Sequence, residues 1–137
     1  MNSARFTARI LTGATYAVLG WDAARNPGQR VDIAASTLTA IRKAVPLPDD
    51  DEVVVRSNGA VQAAAGTMLA VGIFPRAAAS LLAISMVPTT VAGHAFWTVD
   101  DPAARKQQRV QLLKNLAMIG GLIFAAIDKP HRSHPVL

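Results

Sequence analysis

Between Arg76 and Asp100 the chain carries no Asp, Glu, Lys or Arg, the longest uncharged run it has. A helix that crosses a bilayer needs about 20 mostly apolar residues, and this run supplies them. Pro88 interrupts it, and the hydroxyls of Thr89 and Thr90 can bond carbonyls that a proline leaves without a donor. His94, Phe96 and Trp97 close it. A histidine late in an apolar helix, beside a tryptophan, suits a membrane boundary. Two roles stay open for His94: a packing histidine bonded to a nearby carbonyl, or a group that touches a ligand.

Three further apolar segments flank this one, so spanning helices are expected at about 5–24, 54–74, 77–97 and 110–128. Pro75-Arg76 leaves room only for a tight reversal between the second and the third. A soluble four-helix protein would show a polar face recurring every three or four residues, and Ala77 to Val87 and Leu116 to Ile127 lack such a face. Only 17% of the 137 residues are charged and 51% are hydrophobic, where soluble domains average about 25% charged. The expected fold is therefore all-α, an integral membrane four-helix up-down bundle, in one domain over residues 1–137. A cleaved signal peptide is the competing reading of the first segment.

From Val31 to Val45 the apolar residues recur at helical spacing, and Pro46 ends the pattern. That segment is too short and too polar to span, so it reads as an interfacial amphipathic helix between the first two crossings. The run Asp49, Asp50, Asp51, Glu52 follows and is read as a helix cap in preference to a cation site. Gly13, Ala17 and Gly20, then Gly59 with Ala63 and Gly66 with Ala70, are small residues that let helices approach closely. Gly66 and Gly120 are expected at helix contacts, and Leu82 toward lipid. Thr98 to Arg109 reads as a polar loop. His131 and His134 fall in a polar tail.

The absence of cysteine excludes disulfides and thiol chemistry, and three scattered histidines offer no metal site. The net charge of +5 comes without a basic–aromatic stripe, which points to anionic lipid headgroups rather than nucleic acid. Arg5 and Arg9 beside the first segment place both termini in the cytoplasm.

Folded up and down, the four crossings bring one set of polar groups to one end. These are Trp21, Asp22 and Arg25; Arg56, Asn58 and Gln62; His94 and Trp97; Lys114 and Asn115. Polar groups at membrane depth face the interior and pair, and Asp22 with Arg56 or Lys114 is the expected pair. His94 and Asn115 are expected in one network with Asp22 or Arg56. The layer is either a row of interfacial anchors with a structural ion pair, or a polar pocket under the amphipathic helix.

Leu112-Leu113-Lys114-Asn115-Leu116-Ala117-Met118-Ile119-Gly120-Gly121-Leu122 resembles the last-helix signature of the DoxX family, and His94-Ala95-Phe96-Trp97 resembles its motif at the end of the third helix. Gly20-Trp21 and Gly66 to Arg76 are similar to its first half. The resemblance implies a four-helix protein of the bacterial inner membrane. Relatives include a membrane subunit of a thiosulfate:quinone oxidoreductase, and no catalytic residues carry over. The leading expectation is a membrane subunit or scaffold of a multi-protein envelope or redox complex, not itself a catalyst. Its partners would be membrane lipids, other protein subunits or a second copy in a homo-oligomer. The alternatives are a quinone-binding subunit, with a quinone as cofactor bonded by His94, Asn115 and Gln62, and a small transporter or lipid-trafficking component.

Overall fold

The helices start where short polar side chains can take the first free N–H groups. The Asp50 carboxylate accepts from the backbone N–H of Glu52 at 2.9 Å and of Val53 at 3.2 Å, and Asp101 accepts from Ala104 at 2.7 Å. Pro75 and Pro102 stand in the first turns of their helices, where a missing N–H costs nothing. The structure is a computed structural model that describes residues 3–128. Five α-helices follow: α1 (Ser3–Arg25), α2 (Arg30–Arg42), α3 (Asp51–Val71), α4 (Pro75–Gly93) and α5 (Pro102–Ile127). A single 3-10 turn, Phe96–Thr98, joins the last two. Among the described residues there is no strand, so the fold is all-α as expected.

Three boundaries differ from the sequence reading. The acidic run is the cap and first turn of α3, which therefore starts at Asp51. The stretch read as a polar loop is mostly helix, because the Asp101-Pro102 start winds Arg105 to Arg109 into α5 ahead of its apolar part. α4 ends at Gly93, and Phe96 and Trp97 lie in the 3-10 turn. Pro88 leaves the Ile84 carbonyl without its usual donor, whereas the Thr89 hydroxyl goes to the carbonyls of Ser85 and Met86 at 3.2 and 3.0 Å. His131 and His134 lie outside the described residues.

α1 and α3 make the closest pairing. They carry small residues at the same spacing, Gly13-Ala17-Gly20-Ala24 and Gly59-Ala63-Gly66-Ala70. The helices run antiparallel with Gly13 against Gly66 and Gly20 against Gly59. A Cβ on Gly66 would stand 2.5 Å from the Ala17 nitrogen, and one on Gly20 would stand 2.5 Å from the Ala63 nitrogen. Backbone therefore lies on backbone, which any side chain there would force apart.

α4 is the centre of the molecule and packs on α2, α3 and α5. Ala78, Ala79, Leu82 and Met86 are buried on it, with Leu82 fully so. The expectation that Leu82 faces lipid is thus overturned: it lies in one buried cluster with Tyr16, Leu69 and Leu122. Gly120 is corrected as well. Nothing lies within 4 Å of where its Cβ would stand, so it makes no close helix contact. On α5 only Leu122 is buried, while Leu113, Leu116, Ile123, Phe124 and Ile127 are exposed. Pro75–Thr98 and Pro102–Ile127 are each long and apolar enough to cross a membrane.

At one end of the molecule, arginines bond the ends of other helices. Arg5 pairs with Asp128 at 2.9 Å, and Arg76 donates to the Ala126 carbonyl at 2.9 Å. The Arg9 guanidinium lies beside Gly72, the left-handed residue that ends α3. Positive charge there opposes the negative end of the helix dipole.

Candidate functional site

The opposite end holds a cavity of about 640 Å³ between the helices and beneath α2. α2 gives it one face, with Arg30, Ile33, Ala34, Thr37, Leu38 and Ile41 at the three- and four-residue spacing of a helix. Both ends of α2 are tied down. Arg30 pairs with Asp22 at the end of α1 at 2.7 Å and donates to the Asn26 carbonyl at 3.0 Å. Arg42 pairs with Asp51 at the start of α3 at 2.7 Å and donates twice to the Pro48 carbonyl. The second tie is the better shielded, with its side chains about a quarter exposed against about half in the first.

The floor is set by Tyr16, whose hydroxyl bonds the Met86 sulfur and so links α1 to α4. Both side chains are buried. A tyrosine buried in an apolar helix needs such a partner. Val54, Val55, Asn58 and Gln62 of α3 line one wall. Pro88, Thr89, Gly93 and His94 of α4 with Asn115 and Met118 of α5 line the other. Leu19 of α1 and Met118 of α5 also reach the outer surface. The cavity therefore has a mouth at the surface beside Leu19 and Met118.

Of the polar groups read from the sequence, the structure brings Asn58, Gln62, His94 and Asn115 to the cavity and leaves the others outside. The Asn115 amide donates to the Thr90 hydroxyl at 3.3 Å. His94 Nδ1 lies 2.8 Å from the Gln108 side-chain oxygen; that oxygen can only accept, so Nδ1 donates this bond. Neither residue joins Asp22 or Arg56, which corrects the expected network. Asp22 pairs with Arg30 instead. Arg56 pairs with Glu52 at 2.7 Å and donates to the carbonyls of Ala24 and Arg25, where it caps the end of α1. Lys114 is exposed, one residue and 100° around the helix from Asn115.

The two tryptophans also point away from the cavity. Trp21 is exposed, with the Arg25 guanidinium 5.3 Å from its ring centre. Trp97 is exposed and stands edge-on to Phe96. Tyr16, Arg30, Thr89 and Gln108 were missed by the sequence reading. Tyr16 had a signal, as the one tyrosine of the chain set in an apolar segment. Arg30 had none, because it opens a helix whose facing shows only in three dimensions. Among the described residues, no group of His, Cys, Asp and Glu could hold a metal ion.

The arrangement is an apolar cleft with a few neutral polar groups and one arginine, Arg30, among its lining. Cavities of about 300–1,000 Å³ with that character are typical small-molecule sites. No curated protein and no solved structure matches the chain. The DoxX family profile matches residues 4–95, from the start of α1 to just past α4, and with its two apolar helices this membrane-associated protein belongs to the DoxX family.

Proposed function

We propose that the chain is a membrane subunit that binds an apolar small molecule in the cleft beneath α2. In this reading α1, α3, α4 and α5 cross the membrane as a bundle. α2 lies at the interface as a roof, and both termini face the cytoplasm of a bacterial inner membrane. The surface supports it: exposed Leu11, Val18, Ile84, Leu113 and Phe124 suit lipid and would be a liability in water. Trp21 and Trp97 then anchor the cleft end at the headgroups.

The observation that carries the binding reading is the pair of amides on α3. Asn58 and Gln62 line the apolar cavity, and among the described residues neither amide bonds another protein group. Polar groups held at an apolar wall orient a ligand by its own polar atoms. In this reading the mouth beside Leu19 and Met118 meets lipid, so such a molecule can enter from the bilayer. A quinone, with ring carbonyls for the amides, is one candidate. A pure scaffold needs no such cleft, and its exposed faces show nothing that lipid would not cover.

The test is mass spectrometry of small molecules that copurify with the protein in mild detergent. An apolar molecule near one-to-one is expected, lost in N58L/Q62L while the melting temperature holds. A stoichiometric protein partner, with no small molecule in either form, would overturn the reading in favour of the scaffold.

A further inference from the structure

We propose that the cleft selects a single-tailed amphiphile with an anionic head, and that Arg30 takes the head in exchange for Asp22. The inference rests on the binding reading above and names the ligand class. Among the described residues that line the cleft, Arg30 is the one with a fixed charge, and no acid lines it. The other polar groups there are amides, hydroxyls and an imidazole. Arg25, Arg56 and Lys114 stand at the same end but do not line the cleft. A neutral ligand would leave the guanidinium with its structural ties to Asp22 and Asn26 alone, whereas an anion gains two parallel charge-assisted bonds from it.

Asp22 explains how the site avoids an uncompensated charge without ligand. Its carboxylate holds Arg30 at 2.7 Å, and the pair is about half exposed, so solvent makes the exchange inexpensive. A head entering from the mouth meets Arg30 beside Leu19 and Ala23 of α1, with Ile33 and Ala34 of α2 above. The tail then runs along Val54, Val55 and Met86, where the walls are apolar. A volume of about 640 Å³ suits one chain of moderate length. Carboxylates and phosphate monoesters both fit a guanidinium, so the shared chemistry is the anionic head.

The experiment measures equilibrium binding of radiolabelled dodecanoate, dodecyl phosphate and dodecanol to the full chain in phosphatidylcholine nanodiscs, with empty nanodiscs subtracted. The two anions should bind about tenfold or more tighter than the alcohol, the size expected of hydrogen bonds to a charged group. R30Q should erase that preference. D22N should strengthen anion binding, because it removes the competitor for Arg30. A purely structural ion pair predicts instead that both variants weaken binding together, which would overturn the proposal, as would a preference that survives R30Q. D22N carries the test by itself if R30Q does not fold. The order of the two anions tells a carboxylate from a phosphate head, and either order supports the inference. Equal binding of all three amphiphiles would sink the anionic head and leave the cleft as a binding site. Binding of none above empty nanodiscs would sink the amphiphile, and the copurification measurement then decides the binding reading by itself.

Discussion

The seam between α1 and α3 and the seam between α4 and α5 are built on opposite plans. In the first, glycines on both helices face each other, and backbone meets backbone. In the second, Leu82 and Met86 of α4 mesh with Leu122 and Ile119 of α5. Both regions contain glycines that look alike in the sequence, yet Gly120 and Gly121 have open space where Gly13 and Gly66 have none. A small residue brings helices together only when its partner is small at the matching height. Gly120 stands two residues, about 200° of helix, from the buried Leu122 and meets nothing within 4 Å, so it has no partner to dock on.

The contrast can be broken most decisively at Gly66. G66L should separate α1 from α3 and cost more than about 3 kcal/mol, since its side chain would enter the backbone of Ala17. Thermal unfolding in mild detergent measures this. A near-native melting temperature would mean that the seam is not what holds α1.

Truncation tests the other seam. L82A empties a fully buried position on α4 and should cost about 2–5 kcal/mol, whereas L113A on the exposed side of α5 should change little. Equal losses at the two positions would remove Leu82 from the centre of the packing. The smallest effect is expected at G120L, within about 0.5 kcal/mol, because the site is open and leucine is the better helix former. A loss comparable to that of G66L would show a close contact at Gly120 after all.

Much of the fold was legible from local chemistry. The acidic run at the start of α3 reads as a cap and Asp50 is that cap, whereas the Asp101-Pro102 start of α5 carries the same kind of signal inside a stretch that reads as loop. These signals act within a few residues, so they survive in one dimension. The matching small-residue stripes were legible too, because contact in an antiparallel pair depends on spacing that the chain displays. The resemblance pointed to the DoxX family, which the match over residues 4–95 shows; the motif around Asn115 lies beyond the matched residues.

Which polar groups meet was decided only in three dimensions. Asn58 and Arg56 lie two residues apart on one helix, yet one lines the cleft and the other caps α1. Asn115 bonds Thr90 while its neighbour Lys114 is exposed. Each residue turns the helix by about 100°, so the rotation of a helix against its neighbours settles which side chains face in. That rotation is fixed here by contacts far away in the chain: glycine on glycine between α1 and α3, Tyr16 on Met86 between α1 and α4, and Leu122 beside Leu82 between α5 and α4. The sequence determined that a polar layer would form at one end. Packing chose Asn58, Gln62, His94 and Asn115 for the cleft and brought Arg30 to its rim, since helix rotation is a property of the assembled contacts and of no local stretch.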